Sequence, residues 1–359
     1  MAEWARVVNT TTRDFIKGET VEVLRNRKLL AILNDRGRVT MNGSGTEMQW
    51  QVRYKQAPMQ GYDDSDTITF ARVNRWKNAV IPWRGYVGAD SITKREKTIN
   101  KGSEALINVF GGMAKNLMQD IEEQFGDQLY IDGNAAANSK LIHGIESFMG
   151  VSGTVSSSPV GNPSDTYGGL STALGNYTGT WSGAWPTGTG DPHYDFFSPL
   201  IVDYTNTLWT PATKTWANTC LEALRFGIIK GKKNKSKRGQ LDLILLNDEL
   251  YRPFLNLLSV EERINVAPNN GSSGLYKLGF TDVTNFDGVD VTYEYGVPSG
   301  VGYGWCMNLV ELLSTQGELF VPEGPDFDIA SQSYRFSIDF IGNLKFEAVR
   351  NFLKFAAIT

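Results

Sequence analysis

The chain has 359 residues, of which 41% are apolar and 21% charged, and this composition excludes a disordered protein and allows a substantial core. No run reaches the roughly 20 consecutive apolar residues of a membrane-spanning helix, and the first residues lack the layout of a signal peptide. Two cysteines, Cys220 and Cys306, and two histidines, His143 and His193, lack the spacing of a zinc site. We therefore expect a soluble protein made in the cytosol.

The net charge of −4 hides an asymmetry along the chain. Residues 1–125 carry 19 Lys and Arg against 15 Asp and Glu, whereas residues 126–359 carry 16 against 24. Six of those 16 lie in one run, 230–238. The two parts could attract each other between copies or present different faces to different partners, and ordinary surface variation is an equally good interpretation.

The N-terminal residues predict an arm and a short helix. Residues 1–20 are polar and read as extended. Residues 20–34 have helical apolar spacing, with Thr20 as the candidate N-cap and Gly37 beyond the end. A basic cluster on this helix indicates either a solvated face or contact with nucleic acid or an acidic neighbour. Its members are Arg25, Arg27 and Lys28.

The next segment predicts a two-stranded ribbon. Residues 48–55 alternate apolar and polar side chains, the turn is the polar run 61–66, and the return run starts at Thr67 and continues to Tyr86. Such a ribbon is at best marginally stable alone in water, so it needs a neighbour to lie against. Its aromatic side chains are Trp50, Tyr54, Phe70, Trp76, Trp83 and Tyr86.

One long amphipathic helix follows the ribbon. Apolar residues spaced by four, three, four and four from Leu106 to Ile121 predict a helix from about Ser103 to Phe125. Gly111-Gly112 in the middle of this stripe allows either close packing against another backbone or a bend.

The remainder predicts a mixed α+β fold with little sign of regular βαβ repeats. Residues 151–192 are rich in Gly, Ser, Thr and Pro and indicate an inserted surface loop or small subdomain. Residues 194–229 read as a helix, and 241–246 as a buried strand that leads into a helix with an acidic first turn. Near the C-terminus, two alternating runs flank Gly342-Asn343, which predicts a β-hairpin with a two-residue turn.

Signatures of catalysis are absent from the sequence. There is no nucleophile elbow and no phosphate-binding loop, and 300–304 lacks the glycine spacing of a dinucleotide site. The basic run 230–238 lacks the interleaved aromatics of a single-strand-binding groove. We therefore predict no enzyme, no catalytic, cofactor-binding or metal-binding residue, and no cofactor.

The order of these parts resembles the major capsid proteins of tailed bacteriophages, which have the Hong Kong 97-type fold. The ribbon from Trp50 to Tyr86 looks like the extended E-loop of that family, and the stripe from Leu106 to Ile121 like the spine helix of its peripheral P-domain. Residues 132–145 resemble the passage into the axial A-domain. The units 243–248 and 334–348 complete a likeness that is one of layout, since no single motif is diagnostic.

The resemblance implies a division into domains. Residues 1–45 would be the N-terminal arm and short helix, and 46–89 the E-loop. Residues 90–129 and 331–359 would form the P-domain, and 130–330 the A-domain with 151–192 as an insertion.

The resemblance also implies a function. The chain would assemble into pentamers and hexamers of an icosahedral head around double-stranded DNA, in the host bacterial cytoplasm, and end in the virion. A portal protein would be a partner, with separate scaffolding and decoration proteins as further candidates, and no membrane. The ribbon aromatics would contact the neighbouring copy, and Gly111-Gly112 would bend when a precursor shell expands. Six basic residues would face DNA or another subunit: Arg25, Arg27, Lys28, Lys94, Arg95 and Lys97.

Two alternatives stay open at this point. An encapsulin-like cargo shell shares the fold, although the basic segments and the arm favour a virus. From a different class, the aromatics of 151–192 could bind carbohydrate on a β-rich protein, against which the single striped helix argues.

Overall fold

The computed structural model describes residues 27–55, 59–70, 72–99, 116–121, 123–155, 158–177, 179, 185–186, 193–233, 239–261, 275–278, 280 and 282–358. The predictions for Thr20, Arg25, Gly111 and Gly112, and for the first half of the striped helix, lie outside these residues.

Five helices and seventeen strands are used below, with labels in chain order. The helices are α1 (Lys28–Asp35), α2 (Lys94–Ile99), α3 (116–121 and 123–128), α4 (Trp216–Lys233) and α5 (Asp248–Glu261). The strands are β1 (Val39–Thr40), β2 (Glu47–Arg53), β3 (Trp76–Pro82), β4 (Arg84–Thr93), β5 (Val151–Thr154), β6 (Gly161–Pro163), β7 (Thr166–Tyr167), β8 (Leu170–Ser171), β9 (Leu200–Asp203), β10 (Leu243–Leu246), β11 (Thr284–Phe286), β12 (Val289–Tyr293), β13 (Gly302–Trp305), β14 (Val310–Ser314), β15 (Val321–Asp328), β16 (Ser333–Phe346) and β17 (Leu353–Ala356).

The long strand β16 organises the first sheet. Along one edge it pairs with β4 over residues 333–342, and along the other with β15 and then β14, while β1 extends the sheet beyond β14. Helix α3 covers β4: a Cβ added at Gly88 would lie 2.8 Å from the side chain of Ile121. The α3 end of the predicted stripe is therefore apolar because it packs on this sheet, with Met118 and Phe125 buried.

The predicted hairpin at Gly342-Asn343 is wrong. Strand β16 runs through both residues without a turn. A Cβ at Gly342 would lie 2.2 Å from the carbonyl oxygen of Leu313, so glycine serves close strand packing here. Asn343 is fully buried and uses its amide to join neighbouring segments. The Gly-Asn pair has the composition of a turn, but tertiary contacts keep it extended.

The second sheet has the order β11-β12-β10-β13-β17-β9. Helices α4 and α5 pack against each other, α4 also against β9 and β17, and α5 against β12. The helix predicted over 194–229 is wrong in its first part, because 200–203 form strand β9. All four of these residues are buried and pair in parallel with β17, so burial between neighbours decides for strand.

The unit from β10 to α5 confirms the predicted strand and helix. The side chain of Asn247 accepts a hydrogen bond of 3.0 Å from the amide of Glu249, and its carbonyl accepts the amide of Tyr251. This is an N-cap followed by two acidic residues, which the helix dipole favours.

The predicted helix over 20–34 is interrupted at Arg27. This residue is extended and precedes helix α1, which begins at Lys28, and residues 20–26 lie outside the described residues. Gly37 follows the end of α1 with a φ of +60°, as a helix terminator does. Strand β16 belongs to the first sheet and the C-terminal strand β17 to the second. The division into domains stays a prediction.

Part of the predicted insertion 151–192 belongs to the core. Residues 151–171 form two small antiparallel hairpins, β5–β6 and β7–β8. Tyr167 is fully buried there, and its hydroxyl donates to the carbonyl of Leu344 at 3.2 Å. This stretch therefore fastens to β16 and is not a surface loop.

Candidate assembly surface

The ribbon is a strand pair only at its base. Strands β2 and β3 form seven antiparallel residue pairs, from Glu47 opposite Pro82 to Arg53 opposite Trp76. The predicted return strand from Thr67 is wrong, since pairing begins at Trp76. Around 61–66 the predicted turn is present, with the amide of Asp66 donating to the carbonyl of Asp63 at 3.0 Å. We call residues 47–53 and 77–82 the ribbon base, and the described residues from 59 to 76 the ribbon tip.

One face of the ribbon base packs on the chain's own core. Met48, Val52, Ala79 and Ile81 are all buried. The alternation that predicted β2 is therefore an inside–outside alternation within this chain. The base does not need a second copy to bury its apolar face.

Trp50 and Tyr54 are also engaged within the chain. The indole Nε1 of Trp50 donates to the carbonyl of Glu347 at 3.1 Å, and its ring lies 5.9 Å from that of Tyr167. The ring of Tyr54 lies 5.6 Å from that of Phe196. These two predicted intersubunit contacts are thus part of the packing that holds the ribbon base.

Trp83 and Tyr86 belong to the same intramolecular packing. Trp83 Nε1 donates to the carbonyl of Gly45 at 2.9 Å. The hydroxyl of Tyr86 donates to Gln128 Oε1 at 3.1 Å and accepts the amide of Ile142 at 2.8 Å. Burial raises the pKa of Tyr86 to about 12. Four of the six predicted ribbon aromatics therefore have structural roles in this chain.

A buried amide fixes the end of the ribbon to the first sheet. Asn343 Nδ2 donates to the carbonyl of Pro82 at 2.8 Å and to His143 Nδ1 at 2.9 Å. Its Oδ1 accepts the amides of His143 and Leu344, both at 2.9 Å. Burial, with the nearby positive charge of Arg84, lowers the pKa of His143 to about 4. The imidazole is therefore neutral at pH 7 and acts as an acceptor in this network, which gives it a structural role.

The ribbon tip presents apolar side chains to solvent. Phe70 is 92% exposed and Trp76 50%, so neither side chain is buried by the part of the chain that the structure describes. Three further exposed residues of the ribbon tip were not predicted, because the prediction covered only aromatic side chains of the two predicted strands. They are Met59 at 98%, Tyr62 at 75% and Ile68 at 47% exposure. Large apolar side chains this exposed within one short segment mark an interaction surface.

The predicted basic residues divide into two groups. Arg27 donates to the carbonyl of Glu123 at 3.0 Å, and Lys28 donates to the carbonyl of Tyr293 at 2.8 Å. These two connect α1 to α3 and β12, so the prediction that they face DNA is not supported. On α2, Lys94 Nζ lies over the ring of Phe327 in β15, and Lys97 Nζ lies over the ring of Tyr334 in β16. Arg95 is exposed.

Potentially reactive side chains among the described residues are buried or held by neighbouring residues. Cys220 and Cys306 are buried, and burial raises the pKa of Cys306 to about 12. Glu146 forms an ion pair with Lys354 and accepts the hydroxyl of Tyr303 at 2.6 Å. Within the ranges given above, no three His, Cys, Asp or Glu side chains come together as metal ligands, and no helix is long and apolar enough to span a bilayer.

The aromatics proposed for carbohydrate binding do not form a described surface. Tyr167 is fully buried and Trp185 is 6% exposed, and the ring of Tyr177 packs 4.6 Å from that of Phe196. Trp181 lies outside the described residues. Among the described residues, the aromatics of 151–192 therefore present no exposed stacking face for carbohydrate.

Comparison with known proteins gives a likeness of fold. No protein-family model and no curated protein matches the chain. Among solved structures, the cyanophage A-1(L) capsid is 15% identical with a TM-score of 0.58, covering 90% of both chains. The capsid of an empty GTA particle is 9% identical with a TM-score of 0.56, covering 90% of this chain and 96% of that one. The capsid of a native GTA particle is 10% identical with a TM-score of 0.53, covering 91% of each chain. The chain thus has the capsid fold that the order of its elements predicted.

Proposed function

We propose that this chain is the major capsid protein of a tailed bacteriophage. It assembles into pentamers and hexamers of an icosahedral head around double-stranded DNA, forms in the host bacterial cytoplasm and ends in the virion. The capsid fold over about nine-tenths of the chain supports this proposal. The observation that carries it beyond fold is the ribbon tip, because its apolar side chains stay exposed among the residues that the structure describes.

The ribbon tip fits a second copy as its partner. Burying a side chain such as Phe70 or Met59 on a neighbour stabilises the contact by about 1.5–3 kcal/mol before the losses of association. The ribbon base is anchored by Asn343 and by the buried face of β2 and β3, so the tip is held out from a fixed support. Asp63, Asp64 and Asp66 are exposed in the tip and supply charge that can fix register.

Contact with DNA is proposed for three of the six basic residues. Lys94 and Arg95 are exposed on α2, and Lys97 lies beside them with its Nζ 3.6 Å from the centre of the Tyr334 ring. Such residues attract phosphate without reading sequence, and the attraction weakens with salt. A portal protein, separate scaffolding and decoration proteins, and a bend at Gly111-Gly112 belong to the same proposal.

Expression of the chain alone and with a candidate scaffolding protein tests this function. Negative-stain microscopy and light scattering should show rings, capsomers or closed shells. The double variant Phe70→Ser/Trp76→Ser should lose most shells and accumulate small species, because its tip has lost two apolar anchors. Leu208→Ser is the matched control, since Leu208 is 56% exposed but lies outside the ribbon.

Each outcome decides something. A strict monomer under all conditions overturns the capsid function. Shells formed equally well by the tip variant and the control overturn the role of the tip. Shells from infected cells that enclose protein cargo and no DNA would favour the encapsulin-like alternative.

A further inference from the structure

An acidic groove lined by tyrosines lies at one end of the second sheet. Helix α5 forms one wall, and the chain around 282–284 and the end of β12 form the other, enclosing about 790 Å³. Asp248, Glu249 and Asp282 line it together with Arg252, and Lys28 lies beside its aromatic wall. We call this the tyrosine groove.

The aromatic wall of the groove is prearranged. The ring of Tyr293 lies 5.3 Å from that of Tyr251 and 5.6 Å from that of Tyr295. Lys28 Nζ lies 4.0 Å from the centre of the Tyr293 ring, and the Tyr293 hydroxyl donates to Asp282 Oδ2 at 3.4 Å. Tyr295 ends this row and is 74% exposed. The groove therefore offers an apolar ring at its mouth beside carboxylates, a surface suited to a cationic, partly apolar partner.

The end of helix α4 has the complementary character. Ile229 is 63% exposed, although it lies on a helix whose other face is buried. Lys230 follows it, and Lys232 Nζ donates to the carbonyl of Asp287 at 2.6 Å, which leaves two further N–H groups on that ammonium. The sequence continues this positive run to Arg238. Ile229 beside Lys230 and Lys232 therefore complements the exposed ring of Tyr295 beside the groove carboxylates.

The two surfaces lie at opposite ends of strand β12. Asp287, which holds Lys232, precedes the start of β12, whereas Tyr293 ends it and Tyr295 follows. From Val289 to Tyr293 the strand spans about 13 Å. The α4 end of one copy is thus held away from its own tyrosine groove, and a contact between these surfaces joins different copies head to tail.

We infer that the tyrosine groove of one copy receives the α4 end of the next, with Ile229 against Tyr295 and with Lys230 and Lys232 against the carboxylates. A head-to-tail contact between unlike surfaces closes into a ring when its rotation permits. The inference rests on the proposed capsid function, which requires such rings, and it names the surfaces that join their subunits. It also gives a role to Lys230 and Lys232 in an otherwise acidic part of the chain.

Thiol crosslinking tests the inference. The two native cysteines are buried, so Ile229→Cys and Tyr295→Cys supply the accessible thiols. Assembled protein with both substitutions, treated with a short bismaleimide, should give a ladder of covalent species beyond the dimer. Each single variant should give no self-crosslink, and a mixture of the two singles should stop at the dimer. Folding is checked by the unfolding midpoint, which two exposed positions should leave unchanged.

Charge provides a second readout. Adding Lys230→Glu/Lys232→Glu to the protein with both cysteine substitutions should lower the yield of the crosslinked ladder about five-fold at low salt. Raising the ionic strength should lower the ladder yield of the protein that keeps both lysines, because salt screens the attraction. The control Lys140→Glu reverses an exposed charge away from both surfaces and should leave the yield unchanged.

The contrary results are distinct. Dimers from either single variant alone would show a symmetric contact and overturn the inference. Shells that form normally while the double variant gives no ladder also overturn it, and leave the capsid function standing. A chain that never assembles contradicts both.

Discussion

The base and the tip of the ribbon carry similar apolar side chains in opposite surroundings. In the base, Trp50 packs against Tyr167 and donates to a backbone carbonyl, and Ile81 is 1% exposed. In the tip, Phe70 is 92% exposed. Both stretches look alike in composition, so the difference comes from what the rest of the chain places beside them.

This difference separates stability from assembly. Side chains in the ribbon base contribute to the free energy of unfolding of one chain, because they are already buried there. Side chains in the tip gain burial only when another surface arrives. Substitutions in the two regions should therefore affect different measurements.

The largest effect is expected at the anchor of the base. Asn343→Ala leaves the carbonyl of Pro82 and the amide of His143 without their buried partner. We expect a loss of about 4 kcal/mol in the free energy of unfolding, measured by denaturant titration. Asn78→Ala, on the exposed face of β3, should change it by less than about 0.5 kcal/mol. Equal effects of the two substitutions would contradict the anchor.

Core packing of the base comes next. Ile81→Ala removes buried methyl and methylene groups and should lower the free energy of unfolding by about 3 kcal/mol. Val87→Ala is the control, since Val87 is 67% exposed on the neighbouring strand β4. If Ile81→Ala unfolds at the same denaturant concentration as wild type, the base does not depend on its own core.

The pH dependence of the base follows from His143. Its pKa in the folded chain is about 4, below the ordinary 6.5, so the unfolded chain takes up the proton first. Stability is fully present above pH 6.5 and falls as the pH drops toward 4, by at most about 3 kcal/mol. In His143→Gln this contribution should be missing from the plot of unfolding free energy against pH. Parallel curves for variant and wild type would refute the assignment.

The smallest effect on stability is expected in the tip. Phe70→Ser/Trp76→Ser should change the free energy of unfolding of the isolated chain by less than about 0.5 kcal/mol, because neither side chain leaves a buried site. The measurement is the same denaturant titration, at a concentration below assembly. A loss as large as that of Ile81→Ala would show that the tip packs within its own chain.

Some elements were accessible from the sequence because their signals are local. The strand 243–246 with its capped helix was predicted, since Asn247 and the acidic first turn lie next to a run of buried apolar residues. The base strand β2 was predicted for the same reason, from its period of two. The order of the elements was enough to predict the capsid fold.

Other features depend on partners far away in the chain. The Gly-Asn pair at 342–343 carries a turn signal, yet contacts with Leu313 and Pro82 hold it in a strand. Residues 200–203 became a strand because β17, about 150 residues later, lies beside them. No local pattern contains these pairings.

The sequence by itself thus determined the composition of a folded α+β chain, the elements that carry a local periodic or capping signal, and the presence of an apolar ribbon. Only the tertiary structure decided which aromatics of that ribbon remain exposed. Exposure depends on distant residues such as Glu347, Phe196 and Gln128, which contact Trp50, Tyr54 and Tyr86 and leave them only partly exposed. Burial is a property of the whole fold, whereas periodicity and capping are properties of neighbouring residues.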